Sequence, residues 1–432
     1  MSEPMRLAFK YKLRPNRKQE QAFRNFSGCC RFAYNALLVK EKEDYQEYLE
    51  ELESRRCFGE ALNEDEAKAL CVKPTLNQYS FNYALKKLKE EYPFLKEYCH
   101  SQVLQQKVMD LYEAFKKFFK GKGGYPKFKK RHSDDGFRYP QGFKVEEDNG
   151  RIFLPKIGYV RYRNSRKIEG IPKNVTVRQE ADGWYASIQC EFALNNHVIV
   201  PNLNTAIGID MGVKRFLTLS DGNFIESLET KLKPLENKIA LLQRRIKHKV
   251  KGSNNIKKAY LKLALLHKRK ADIRNNFLHQ VSTLLIKNHD LIVIEDLKIK
   301  NMSKSAKGTI DNPGKNVKVK TGLNRSILNE AWHKFFTYPE YKLKLKGGIL
   351  ITVDPKHTSQ TCPQCGHINK DNRKEQEIFK CVKCGYETNA DVNAAQNILR
   401  RAGLARMACQ ANLDRGQQQE PSEAYNSSNI VV

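Results

Sequence analysis

Three acidic residues sit at the ends of apolar segments in a way that suits metal-assisted hydrolysis of phosphodiesters. Gly208-Ile209-Asp210 puts a carboxylate at the end of a buried apolar strand, where an unpaired charge is costly unless a cation or hydrogen bonds compensate it. Val293-Ile294-Glu295-Asp296 repeats the arrangement. Asn389-Ala390-Asp391 presents a third carboxylate at a helix start, with Val392, Ala394, Ala395, Ile398 and Leu399 behind it. Each acid alone has an ordinary alternative, since strand-end acids cap loops and Asp391 would favour a helix N-terminus. Converging, they would form a hard oxygen site for two Mg²⁺ or Mn²⁺ ions. One ion would lower the pKa of an attacking water and the other would stabilise a departing 3′ oxygen, with the ions roughly 3.5 to 4 Å apart. The products would be a 5′-phosphate and a 3′-hydroxyl.

Four of the eleven cysteines form a second, more specific signal. Cys362-Pro-Gln-Cys365-Gly and Cys381-Val-Lys-Cys384-Gly repeat a Cys-x2-Cys-Gly knuckle with fifteen residues between them. Thiolate pairs on tight turns supply tetrahedral soft ligands for Zn²⁺. A zinc-free redox pair fits poorly, because there are two pairs with a Gly after each. Four thiolates leave no open position for water, so this zinc folds the segment and does not cleave. Cys29, Cys30, Cys57, Cys71, Cys99, Cys190 and Cys409 lie without ligand spacing and read as incidental or buried thiols of a reducing compartment.

Charge points to the substrate class. The 432 residues carry 77 Lys and Arg against 48 Asp and Glu, a net charge of +29, which suits a polyanionic partner. Three segments concentrate it: Ala114 to Arg131 with eight basic residues and no acid, Lys231 to Arg274 with fifteen against two, and Lys298 to Arg325 with eight against one. Solubility of a small domain needs a net charge of only about 2 to 8, so these runs read as nucleic-acid surface. Lys127, Lys129 and Lys130 in the first, and Arg244, Arg245, Lys247, Lys249 and Lys251 in the second, are the candidate phosphate contacts. Phe115, Phe118, Phe119, Tyr125 and Phe128 interleave with the first run, where they could stack on bases or pack a core. Glu41 to Glu66, with eleven acids against three basic residues, should face away from nucleic acid. The tail from Ala408 to Val432 carries a net charge of −2 and reads as disordered. No run approaches eighteen apolar residues and Met1 to Lys10 has no signal-peptide pattern, so a soluble, intracellular chain without a membrane partner is expected.

The elements that must position these groups follow from periodicity. Leu7 to Leu13 alternates as a strand, and Pro15-Asn16 with Gln19 reads as a helix start. Helical spacing then runs to Lys120, and short strands follow from Phe137 to Phe192. An all-helical insert therefore interrupts a β unit that begins at the N-terminus. After Pro201 come strands at Thr205 to Asp210, Arg215 to Leu219 and Asn223 to Glu226, then two long helices. Strand Leu291 to Glu295, a basic loop, a helix from about Asn324 to Lys344, strand Ile349 to Val353 and a last helix Asp391 to Arg401 complete the pattern. That order is the order of an RNase H-like fold with the cysteine knuckles inserted before the last helix. In such a sheet the first and fourth strands are neighbours, so Asp210 and Glu295 would meet and the last helix would bring Asp391 across them.

Gly-Ile-Asp210-Met-Gly, Val-Ile-Glu295-Asp-Leu, His357-Thr-Ser-Gln-Thr-Cys362-Pro-x-Cys365-Gly, Cys381-x2-Cys384-Gly and Asn389-Ala-Asp391-Val-Asn-Ala-Ala-x-Asn397, in this order, resemble the TnpB family. These are the OrfB proteins of insertion sequences, related to type V CRISPR effectors. Tyr11-Lys-Leu-Arg-Pro15 with Gln19, and Gly124-Tyr-Pro-Lys-Phe128, resemble its opening segments. The resemblance spans Met5 to Arg406. It implies an RNA-guided DNA endonuclease that cuts next to a short transposon-adjacent motif with a RuvC-like centre, whose acids correspond to Asp210, Glu295 and Asp391. The fold it implies is α/β with added α and β units. A wedge β-barrel comprises residues 1–14 and 122–202 and is interrupted by a helical recognition lobe at 15–121. A RuvC-like nuclease comprises 203–358 and 388–407, with a four-cysteine zinc ribbon inserted at 359–387 and a tail at 408–432. The implied partners are a guide RNA made from the transposon end and a double-stranded DNA target, held by a monomeric ribonucleoprotein in the cytoplasm of a prokaryote. Two other readings stand beside this one. A DNA transposase would use the same acids for strand transfer, and a non-catalytic RNA-guided binder would not need them.

Overall fold

The computed structural model describes residues 4–57, 77–131, 135–192, 205–309 and 311–403. The tail at 408–432 and the end of the acidic stretch, residues 58–66, lie outside the described residues. The chain divides into two compact units, Met1–Leu194 and Asn195–Val432. Among the described residues, no helix is long and apolar enough to cross a membrane.

In the first unit, strand β1 (Met5–Arg14) is followed by helix α1 (Arg17–Cys57). Asn16 and Gln19 form the capping pair that starts it: Gln19 N donates to Asn16 Oδ1 at 2.9 Å, and Asn16 N to Gln19 Oε1 at 3.1 Å. Helices α2 (Gln78–Glu91), α3 (Phe94–Tyr98) and α4 (Ser101–Phe119) follow. Next come strands β2 (Gly136–Tyr139), β3 (Lys144–Glu146), β4 (Arg151–Leu154), β5 (Gly158–Tyr162), β6 (Ile171–Glu180) and β7 (Gly183–Phe192). β1 pairs with β7 along Met5–Lys12 and with β5 at Leu13 and Arg14, giving the order β2-β6-β7-β1-β5-β4-β3 with every pair antiparallel. This sheet is open, not the barrel expected. Its terminal strands β2 and β3 are four and three residues long and do not pair with each other. β2 instead turns its buried rings to α1, with Phe137 5.1 Å from Phe26. The sheet face and the helices share one core, in which Tyr11, Phe23, Leu38, Leu104, Leu111, Phe137 and Ile188 are buried.

The second unit begins with β8 (Ala206–Met211), β9 (Arg215–Leu219) and β10 (Phe224–Glu226), an antiparallel meander. Helices α5 (Glu229–Lys247) and α6 (Asn254–Asn288) lead to β11 (Leu291–Glu295). Then come α7 (Ile299–Met302), α8 (Val317–Glu330), α9 (Trp332–Lys346) and β12 (Ile349–Val353). The cysteine-rich segment carries β13 (Ile378–Lys380) and β14 (Glu387–Asn389), and α10 (Ala390–Arg401) ends the described chain. The sheet order is β10-β9-β8-β11-β12, with β11 parallel to both neighbours. All five β11 residues are buried, as expected for a strand covered on both faces. Ile292 and Ile294 pack on one face with Phe216, Phe277 and Phe335, while Val293 meets Ile398 and Leu399 of α10 on the other.

The single helix expected from Asn324 to Lys344 is two helices. Ala331 between them has φ 54°, a left-handed conformation that an L-residue adopts only when its surroundings impose it. The break lets Ile327 from one helix and Trp332 and Phe335 from the other enter the same core. Periodicity across the joint does not reveal it, because both segments keep helical spacing.

Candidate metal centres and nucleic-acid surfaces

β8 and β11 run parallel and in register through Ile209↔Ile294. Asp210 and Glu295 are each one residue beyond that pair, so they stand side by side at the carboxyl ends of neighbouring strands about 4.8 Å apart. Alternation places Asp210 on the face of Gly208, and Glu295 on the face of Val293, which is the face covered by α10.

Gly208 sets how close that helix comes. A Cβ built there would lie 2.2 Å from Ala395 O and 2.8 Å from Leu399 Cβ, so only glycine admits this packing. From Ala395 back to Asp391 is one helical turn, about 6 Å. From Gly208 on to Asp210 is two strand residues, about 6.6 Å. The matched steps carry Asp391 over Asp210. Asn389 caps the helix there, its Oδ1 accepting from Asp391 N at 3.0 Å and Val392 N at 3.3 Å.

The electrostatics agree with that convergence. Burial, reinforced by the Glu295 and Asp391 carboxylates, pushes Asp210 up to about 7. Burial also pushes Glu295 upward, against the opposing pull of the Thr358 hydroxyl and the Arg401 charge. One cation bonds to the group directly: Arg373 Nη2 donates to Asp391 Oδ1 at 3.2 Å. Three oxygen donors short of positive charge fit a hard divalent ion. As a set they are spread wider than the thiolates. Among the described residues, the four cysteines are the only group of three or more His, Cys, Asp or Glu ligand atoms lying within 4.8 Å of one another.

Those thiolates are Cys362, Cys365, Cys381 and Cys384. Cys362 and Cys384 Sγ are 3.6 Å apart, as are Cys365 and Cys381 Sγ. A tetrahedron of Zn–S bonds of about 2.3 Å has edges of about 3.8 Å, so the sulfurs stand where zinc would hold them. Gly366 and Gly385 close the knuckles at φ 71° and 76°, which is the left-handed turn that glycine adopts without strain. The buried Asn372 knits the two knuckles, its Nδ2 donating to Gln360 O and His367 O and its Oδ1 accepting from Val382 N. Cys365→Ser or Cys384→Ser is expected to release zinc and melt residues 359–387. Structural zinc in such sites contributes about 10 to 16 kcal/mol. Metal analysis and proteolysis of this segment check it, and a wild-type protein that purifies without zinc would refute the assignment.

Six of the eight basic candidates are exposed, in both units. Lys127 and Lys130 are exposed beside Tyr125 and Phe128, while Lys129 lies over the Tyr34 ring at 5.1 Å. Asn35 fixes this stretch against α1, donating to Lys129 O at 3.0 Å and accepting from Lys129 N at 2.8 Å. Phe115 is buried, whereas Phe119, Tyr125 and Phe128 are exposed. Arg244, Arg245 and Lys247 occupy the exposed last turn of α5, with half-buried Lys249 and exposed Lys251 just beyond it. The Arg244 turn also complements its helix C-terminus.

Acid and thiol chemistry does not single out Gly208, Arg373, Thr358 or Asn397, although all but Arg373 lie inside the family motifs. Gly208 carried a readable signal, since an isolated glycine inside an apolar strand marks close backbone approach. Arg373 lies in a polar stretch without periodicity, and only its ion pair reveals it.

The family described as "Cas12f1-like, TNB domain" matches residues 332–398, that described as "Probable transposase", of the IS605 OrfB group, matches 187–306, and that described as "Helix-turn-helix domain" matches 1–50. In the described part of that last range the chain forms β1 and an unbroken α1, with no turn between two helices. "Putative RNA-guided DNA endonuclease InsQ" of Escherichia coli is 43% identical over 426 residues, covering 98% of each chain. "Putative RNA-guided DNA endonuclease" of Streptomyces pristinaespiralis is 31% identical over 414 residues, covering 95% of this chain and 92% of that one. The CRISPR-associated endodeoxyribonuclease Cas12f1 of Sulfoacidibacillus thermotolerans is 29% identical over 226 residues, about half of each chain. Identity of 43% sustained over 98% of both chains, with family models of the same group matching along the chain, assigns it: this protein belongs to the TnpB family, the IS605 OrfB group that shares its lineage with Cas12f1.

Proposed function

We propose that the protein is an RNA-guided DNA endonuclease of an insertion sequence, with Asp210, Glu295 and Asp391 as the hydrolytic centre. The observation that carries this reading is the juxtaposition of Asp210 and Glu295 at the carboxyl ends of adjacent parallel strands, with Asp391 brought over them by α10. Substrates of open α/β sheets bind outside the carboxyl ends of the strands. The strand order β10-β9-β8-β11-β12, with β11 parallel to both neighbours, supports reading the second unit as an RNase H-like, RuvC-type domain.

The three carboxylates would hold Mg²⁺ or Mn²⁺, which supplies the charge that activates water and offsets the charge developing on the leaving 3′ oxygen. The chain's own residues do the positioning. Asp210, whose ionised form is opposed by burial and by the other two acids, would hold the metal together with Glu295 and Asp391. Arg373, which pairs with Asp391 and also donates to Gln376 O, would offer its guanidinium to a substrate phosphate beside the acids. The four-thiolate zinc folds the ribbon that carries Arg373.

In the same reading residues 1–14 and 122–202 form a wedge and residues 15–121 a helical recognition lobe. The chain would hold a guide RNA from the transposon end and the double-stranded DNA target. Lys127, Lys129, Lys130, Arg244, Arg245, Lys247, Lys249 and Lys251 would contact phosphates and release counterions. A transposase would act on transposon-end DNA without RNA. Sequencing nucleic acid that copurifies with the protein from cells carrying the whole element separates the two. A discrete RNA ending in element-flanking sequence, required together with Mg²⁺ for cutting matched DNA, is the expected result. Strand-transfer products formed after RNase treatment would replace the reading with the transposase.

A further inference from the structure

Glu295 is 8% exposed, and a buried carboxylate has to be held by donors or cations. Thr358 Oγ1 donates to Glu295 Oε1 at 2.6 Å, the short distance of a charge-assisted bond. Thr358 is itself only 4% exposed. It sits in a turn from Pro355 to Thr361 that contributes nothing to the large core on the other face of the sheet. In this turn His357 takes a left-handed φ of 61°, so something outside the turn must hold it.

That support is α10. Asn397, 3% exposed, donates from Nδ2 to Thr358 O at 2.8 Å and to Thr361 O at 2.7 Å, which uses both of its N–H bonds. Asn393 Nδ2 adds a bond to Thr361 O at 3.3 Å. Arg401 donates to Asp354 O and Lys356 O, and Arg400 donates to Pro363 O. Residues 393, 397, 400 and 401 lie on one face of the helix. The helix that carries Asp391 is therefore also the template for the turn that carries Thr358. The residue after Thr361 is Cys362, the first zinc ligand, so the ribbon anchors the other end of the turn.

We propose that Thr358 is a positioning residue that orients the Glu295 carboxylate for its metal ion, and that Asn397 acts through it by fixing the turn. One carboxylate oxygen is engaged by the hydroxyl, which directs the other toward the ion. Such partners behind a ligand typically contribute about 10- to 100-fold in metal affinity. The inference rests on the reading of Glu295 as a metal ligand, and the experiment tells the two apart.

Mn²⁺ affinity of the full-length, zinc-loaded chain is measured by electron paramagnetic resonance for the wild type, Thr358→Val, Thr358→Ser, Asn397→Ser and Glu295→Gln, with zinc content and melting temperature followed in parallel. Thr358→Val keeps the shape and removes the donor, so Mn²⁺ affinity should fall about 10- to 100-fold with zinc retained. Thr358→Ser should restore it to within about threefold. Asn397→Ser, which leaves the hydroxyl but loosens the turn, should fall between them and serves as the test if Thr358→Val does not fold. In a double-mutant cycle, Asn397→Ser should add little once Thr358 is Val. Wild-type affinity in Thr358→Val or Asn397→Ser, alongside lost affinity in Glu295→Gln, would overturn the positioning role. A Ser variant as weak as the Val variant would overturn it too, since packing alone would then explain the loss. Wild-type affinity in Glu295→Gln would overturn the metal-site reading itself.

Discussion

Replacing Asp210, Glu295 or Asp391 by Ala is expected to reduce cleavage of guide-matched double-stranded DNA by at least about 10³-fold, a loss of roughly 4 kcal/mol of transition-state stabilisation. Binding of RNA and target should stay within a few-fold of wild type. In the proposed function each substitution removes a metal ligand at the carboxyl ends of the central strands or the start of α10, and leaves the basic surfaces untouched. Fold loss can be separated from loss of chemistry at Asp210. Burial disfavours its charge, and its neighbours Glu295 and Asp391 disfavour it further. With no metal present, Asp210→Asn should therefore melt at or above the wild-type temperature near pH 8, where the native carboxylate is ionised against that repulsion. Cleavage kinetics in Mg²⁺, gel-shift affinity and a thermal melt in chelator make the test. A variant that cuts at the wild-type rate would remove that residue from the centre.

Gly208→Val is expected to damage the second unit severely although it touches no charged group. Even Gly208→Ala would put a Cβ 2.2 Å from Ala395 O, which is backbone and cannot rotate away. Overpacking of this kind costs about 1 to 3 kcal/mol, and melting falls by roughly 2 to 4 °C per kcal/mol in a domain of this size. The Ala variant should thus lose up to about 12 °C and the Val variant more. Relief can come only by moving α10 off β8, and Asp391 lies one turn from the clash. Misplacement by about 1 Å can lower a rate about 10²-fold, so cleavage should fall in the Ala variant even at temperatures where it remains folded and zinc-loaded. A Gly208→Ala protein with wild-type melting and cutting would show that the helix has slack and that its contact with β8 does not place Asp391.

The residues of the proposed site are legible in the amino-acid sequence. Asp210 and Glu295 end apolar strands, Asp391 opens an amphipathic helix, and the cysteine knuckles have zinc spacing. Burial of charge and metal coordination restrict residue type so strongly that short motifs carry the chemistry. The same holds for β1, β8, β9, β11 and β12, whose apolar pattern is dictated by coverage on one or both faces.

What tertiary structure alone decided is distance and partnership. No local pattern states that the first sheet stays open because β2 turns its aromatic rings to α1, or that a helix breaks at Ala331 so that Ile327 and Trp332 reach one core. Arg373 meets Asp391 from eighteen positions away, and Thr358 meets Glu295 from sixty-three. A hydrogen bond between distant residues leaves no period in the chain, because its requirement is one donor at one place. The amino-acid sequence determined which groups can do chemistry, since that follows from residue type and nearest neighbours. Their convergence depended on the close approach that Gly208 allows between strand and helix, and such packing exists only once both elements are built.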